Sequence, residues 1–176
     1  MIIRMFFRTS FWPVLAAIAS LGALGIAHAF ETFGGLQPCA LCLRQREVYW
    51  FALTIAILGI LVMRFKPEWR LGRGVVALLG LTFLTGAMVA GYHAGVEWHF
   101  WPGPTTCSGG GSGLDGLSAS DLSAVLGTAA KAPACDKIPW SFAGISMAGW
   151  NMLLSLALAG ASFFSLVQGK EREIAP

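Results

Sequence analysis

Four stretches of this chain stay apolar for about the 20 residues that a helix needs to cross a bilayer core about 30 Å thick. They run over residues 11–30, 43–63, 75–92 and 142–167. The first carries no charge from Phe11 to Phe30, and the second, uncharged from Val48 to Met63, reaches spanning length by taking in Leu43 to Glu47. Only helices and closed barrels satisfy their backbone groups inside lipid, and runs of this length specify helices. The expected fold is therefore an all-α membrane protein, an antiparallel bundle of four transmembrane helices forming a single unit over residues 1–176. Composition agrees, since 56% of residues are hydrophobic and only 12% are charged, about half the charged share of an ordinary soluble domain. That excludes disordered chains and compact cytosolic enzymes, and a net charge of +3 is too small to call for nucleic acid.

An even number of spans puts both termini on one side, and Lys and Arg near span ends choose that side. Arg4, Arg8, Arg64, Lys66, Arg70, Arg73, Lys170 and Arg172 fall on the face of the termini, against Arg44, Arg46, Lys131 and Lys137 opposite. The termini are expected in the cytoplasm, and the loops over about 31–42 and 95–141 in the periplasm of a bacterium. Trp12 and Trp69 are expected to anchor the inner boundary, with Trp50, Trp98, Trp101 and Trp140 at the outer one. Arg4 and Arg8 ahead of an apolar run ending in Ala27-His28-Ala29 also have the look of a cleavable signal peptide. The run exceeds the roughly 7–15 residues usual for such segments, which favours a retained span.

All four cysteines, Cys39, Cys42, Cys107 and Cys135, fall on the outer face, where disulfides persist. Cys39 and Cys42 form a Cys-x-x-Cys where the second span begins, preceded by Pro38, a residue suited to a first helical turn. Sulfurs in that turn meet free amide groups and the positive end of the helix dipole, which favour a thiolate. Arg46, four residues after Cys42, shares its helix face, and a guanidinium at that depth requires an anionic or polar partner, such as a thiolate or a ligand oxygen. Arg44 is expected to snorkel to the headgroups. Metal is not expected, because Cys107 and Cys135 lie far apart in sequence, and Leu43 rather than His after Cys42 speaks against covalent haem.

Glycines surround Cys107 in Gly103 to Gly113, making a tether for a sulfur that visits more than one partner. In the same loop, Ser118-x-x-Asp121 can cap a short amphipathic helix with Leu122, Val125, Leu126 and Ala129 on one face. A staple between Cys107 and Cys135 is the structural alternative to a mobile sulfur. His28 and His93 lie near outer span ends and could bracket a haem in a disulfide-stapled carrier or scaffold. Two cysteine pairs on one membrane face otherwise point to relay by thiol–disulfide exchange, which needs an electron sink. A lipid-soluble quinone is within reach of any site at the bilayer edge, and Arg46 and His93 could hydrogen-bond its carbonyl oxygens.

These residues resemble the DsbB family of bacterial inner-membrane disulfide bond formation proteins over nearly the whole chain. The shared pattern is four spans, Cys-x-x-Cys at the outer start of the second, an arginine four residues on, and a cysteine pair in the second outer loop. Tyr92-His93-Ala94-Gly95-Val96-Glu97-Trp98 and the stretch from Cys135 to Pro139-Trp140 look like that family's loop flanks. The resemblance implies that Cys107 is attacked by a reduced thioredoxin-like partner of the DsbA kind, and that Cys135 is its loop companion. It further implies that Cys39 exchanges with Cys135, and that Cys42 passes electrons to ubiquinone or menaquinone beside Arg46, with His93 close to the quinone. A structural disulfide sits below about −300 mV and DsbA near −120 mV, a gap of roughly 8 kcal/mol for two electrons, so a staple could not oxidise such a partner. A related disulfide generator with a dedicated partner is the competing enzymatic reading.

Overall fold

The computed structural model describes residues 11–65, 69–104 and 134–174. Four helices, α1 (Trp12–Thr32), α2 (Ala40–Phe65), α3 (Trp69–Glu97) and α4 (Met147–Ile174), are joined before α4 by the short strands β1 (Ser141–Phe142) and β2 (Ile145–Ser146). Each helix contains a segment long and apolar enough to cross a membrane. The chain is thus a multi-pass membrane protein with the expected four-helix fold. The amphipathic helix expected over 118–129 lies outside the described residues.

The helices differ from the apolar runs at their ends. α3 begins before the run, with Arg70 and Arg73 in its first turns, and ends beyond it at Glu97, because a helix continues through the interface where polar side chains are tolerated. The fourth helix starts at Met147 and not at residue 142. Residues 141–146 form an antiparallel hairpin in which Ser141 pairs with Ser146 and Phe142 with Ile145. Its two-residue loop places Ala143 at φ 51° and Gly144 at φ 76°, the doubly positive pattern of a type I′ turn. Ser146 then caps α4, its Oγ accepting the Gly149 N–H at 3.1 Å.

Consecutive helices pack side by side, α1 on α2, α2 on α3 and α3 most extensively on α4, whereas α1 and α4 touch little. Without water to drive association, helices in lipid meet through small residues and close packing. Ala52 and Ala56 of α2 share a buried cluster with Val76, Leu79 and Phe83 of α3, and Gly59 is buried further along α2. A Cβ at Gly59 would lie 2.5 Å from Val75 Cγ1, so that position admits no side chain without displacing Val75. Large side chains such as Ile18, Phe51 and Leu58 remain on the outside, as lipid contact requires. Trp12 departs from the expected anchoring role. It is buried, and its indole N–H donates to Ser162 Oγ at 2.9 Å, linking α1 to α4. Trp50, Trp98 and Trp101 do keep exposed ring surface.

Candidate functional site

Cys39 is the residue immediately before α2, and its position explains its chemistry. Its carbonyl accepts the Leu43 N–H at 3.1 Å, and its Sγ accepts the Cys42 N–H at 3.2 Å, as a serine or aspartate cap would. Pro38 therefore lies just outside the helix rather than in its first turn. Cys39 and Cys42 are free thiols with Sγ atoms 3.0 Å apart, and Cys39 is buried. The hydrogen bond with the Cys42 thiol, helped by His93, whose Nε2 lies 3.6 Å from Cys39 Sγ, draws the Cys39 pKa down to about 4 against the opposing effect of burial. The ultraviolet thiolate absorbance of the reduced protein is accordingly expected to persist from neutral pH down to about 4, and to be lost at neutral pH in Cys39→Ser. A band that disappears already near pH 8, where an ordinary thiol titrates, would refute this assignment.

His93 is fixed from both sides of its ring. Nδ1 lies 2.7 Å from Gln45 Nε2, while Asn151 Nδ2 donates to Gln45 Oε1 at 2.6 Å. Tyr49 Oη continues the chain to Asn151 Oδ1 at 2.5 Å and lies 3.1 Å from Ser155 Oγ. Side chains from α2, α3 and α4 thus form one buried polar line beginning at a cysteine sulfur. With Gln45 donating to Nδ1, the proton of a neutral imidazole resides on Nε2, the nitrogen that faces Cys39. Glu97, one turn further along α3, places Oε1 3.9 Å from the same Nε2, and its Oε2 accepts a hydrogen bond from the Ser146 hydroxyl.

Cys135 is buried in one small cluster with Cys39, Leu41 and Val96, and it is disulfide-bonded. Cys107 lies outside the described residues. Arg46 does not pair with a cysteine. Its Nη1 donates to Glu31 at 2.5 Å and its Nη2 to the Ala27 carbonyl at 3.1 Å, so its partner is a carboxylate of α1. Arg44 is largely exposed and pairs with Glu47. His28 is also exposed, beside Glu31, and both nitrogens of His93 already face polar partners, so among the described residues these two histidines are not set to bracket a haem.

Beside these groups lies a cavity of about 530 Å³, within the range usual for small-molecule sites. Leu24, Ala27 and Phe30 of α1 and Trp150 and Leu154 of α4 form apolar walls, and Gln45, Arg46, His93, Glu97 and Asn151 supply polar groups. The sparse contact between α1 and α4 is what leaves this space open. Cys42 borders the cavity and Cys39 does not. Sγ of Cys39, Sγ of Cys42 and Nε2 of His93 lie within 4.8 Å of one another.

Sequence reading did not single out Gln45, Tyr49, Asn151, Glu31 or Ser146. A signal existed for two of them: Cys42, Gln45 and Tyr49 fall at i, i+3 and i+7 on one face of an apolar helix, where polar side chains mark function. Asn151 and Ser146 gave none, since their role depends on how α4 packs.

The sequence profile of the family described as disulfide bond formation protein DsbB matches residues 9–165. The chain is 32% identical over 167 residues to disulfide bond formation protein B of Methylococcus capsulatus, covering 92% of this chain and 93% of that protein. It is 31% identical over 150 residues to the protein of the same name from Albidiferax ferrireducens, covering 81% and 82% of the two chains. The Xylella fastidiosa protein of that name is 32% identical over 150 residues, 78% of each chain. No solved structure matches the chain significantly.

Proposed function

This chain belongs to the DsbB family of disulfide bond formation proteins, and from that premise we propose that it oxidises a periplasmic thioredoxin-like protein of the DsbA kind and passes the electrons to a membrane quinone, ubiquinone or menaquinone. In this reading it sits in the bacterial inner membrane with both termini cytoplasmic and all four cysteines periplasmic. The observation that carries the proposal is the division of labour within the Cys-x-x-Cys: Cys39 is buried in one cluster with Cys135, whereas Cys42, at the edge of that cluster, also borders the cavity.

Cys107 forms the mixed disulfide with the partner, which leaves as its own disulfide once its second thiolate displaces Cys107. Reduced Cys135 then attacks Cys39 of an oxidised Cys39–Cys42 pair, releasing Cys42 as thiolate, and Cys107 displaces Cys39 to restore the loop disulfide. Two electrons now reside on Cys39 and Cys42. Free thiols at those positions and a disulfide at Cys135 are the connectivity at this stage. The dimensions and chemistry of the cavity fit a quinone, with apolar walls for the ring and Ile26 and Leu154, both on the exposed side of the bundle, where a hydrocarbon tail would pass into lipid. When bound, the quinone accepts two electrons and two protons. Arg46 has five N–H donors and directs only some of them at Glu31 and Ala27, so it retains donors for a carbonyl oxygen.

The test supplies the purified full-length protein with a reduced thioredoxin-like dithiol protein and a short-chain ubiquinone or menaquinone, following quinone absorbance and partner thiols together. One quinone reduced per partner dithiol oxidised is the expected stoichiometry. Partner oxidation without reduction of either quinone would overturn the acceptor assignment.

A further inference from the structure

Glu97 has no task in disulfide exchange, yet it is 3% exposed at the end of α3 and is the one acid among the described residues that border the cavity. Burying a carboxylate costs several kcal/mol unless hydrogen bonds compensate. The compensation here is directional. Ser146 Oγ accepts the Gly149 N–H at 3.1 Å, which turns its own proton toward Glu97 Oε2. Oε1 remains, 3.9 Å from His93 Nε2, and that nitrogen lies 3.6 Å from Cys39 Sγ. A cysteine sulfur, an imidazole nitrogen and a carboxylate oxygen therefore stand in sequence beside the space assigned to the acceptor. The titratable groups facing Glu97 are His93 on its own helix and Cys39 and Cys42 at the start of α2, while β2 contributes only the Ser146 hydroxyl; Arg46 and Glu31 pair with each other.

Resting on the quinone reading, we propose that Glu97 is the proton store of the redox site: it takes up one of the two protons that accompany reduction of the pair, so that Cys39 stays a thiolate facing the Nε2–H of neutral His93, and releases that proton to the acceptor as the Cys39–Cys42 disulfide forms. The balance closes. Oxidation of the thiolate–thiol pair makes one S–S bond and frees two electrons and the Cys42 proton. Both electrons pass to the quinone, and its hydroquinone is completed by that proton from Cys42 and by the one stored on Glu97, residues that both border the cavity. Glu97 returns to carboxylate, and the next reduction of the pair reloads it.

Infrared difference spectra between the dithiol and disulfide states, prepared with dithiothreitol and a chemical oxidant, read the proton without any quinone. The expected spectrum has a protonated-carboxyl stretch in the dithiol state that is lost on oxidation and missing from Glu97→Gln. Ser146→Ala, which removes the hydrogen bond to Oε2, should shift that band in frequency and provides a second variant if Glu97→Gln does not fold. In quinone assays, Glu97→Gln should lower kcat on the order of 10²-fold, the scale of a lost acid–base group, with quinone KM within about twofold and partial recovery in Glu97→Asp. No redox-dependent carboxyl band, or a band retained in Glu97→Gln, would overturn the proton store even if wild-type protein reduces quinone. Wild-type protein that shows the band but reduces no quinone would instead overturn the acceptor reading.

Discussion

Cys42→Ser should bring quinone reduction down to the uncatalysed background, a loss on the order of 10³-fold or more, the scale seen when an active-site nucleophile is removed. A serine hydroxyl can occupy the space of the thiol but cannot form or break an S–S bond, so no second sulfur remains to close the Cys39 disulfide. The variant should also accumulate a specific intermediate. Cys39, whose pKa is drawn down to about 4, loses part of that stabilisation with the Cys42 thiol, but His93 and the Cys42 backbone N–H position contribute in the same direction. A reactive Cys39 thiolate next to Cys135 should then attack it and stop at a Cys39–Cys135 disulfide, because nothing displaces it toward the acceptor. Peptide mapping under non-reducing conditions would identify that bond. Turnover retained in Cys42→Ser would make Cys39 the sulfur that meets the acceptor and reverse the order of the relay.

The contrast between what sequence displayed and what it concealed follows from the range of each interaction. The four spans were legible because apolarity over about 20 residues is a local property of the chain. The Cys-x-x-Cys at a helix start was legible for the same reason, although Cys39 proved to be the cap itself, with Pro38 outside. Phe142 to Ser146 read as the beginning of a span because its residues are apolar, whereas a positive φ at Ala143 and Gly144 turns them into a hairpin. Trp12 near a span end matched an interfacial anchor, but only the packing of α4 reveals the Ser162 hydroxyl that buries it. The partner of Arg46 was expected near the cysteines, and it is instead Glu31, fifteen residues earlier on the neighbouring helix. Gln45, Asn151 and Tyr49 belong to helices far apart in sequence, and their joint effect on His93 arises only when α2, α3 and α4 pack.

Arg46→Leu should raise the apparent quinone KM by about 10- to 100-fold, the equivalent of losing a charge-assisted hydrogen bond of roughly 1.5–3 kcal/mol. The single variant cannot be interpreted alone, because Arg46 also clamps α2 to α1 through Glu31 and the Ala27 carbonyl. Removing one partner of a buried ion pair costs about 3–5 kcal/mol, and less here since the Glu31 side chain is 32% exposed. The stranded Glu31 carboxylate could itself repel charge developing on the acceptor. Glu31→Gln combined with Arg46→Leu separates the two effects. If Arg46 donates to the acceptor, relieving the stranded charge restores thermal stability and leaves KM high. If the KM effect came only from the uncompensated carboxylate, the double variant would return KM to the wild-type value. Arg46 would then be the fastening between α1 and α2 that holds the cavity wall in place, and the carbonyl oxygen would depend on the remaining donors of that wall, Gln45, His93 and Asn151.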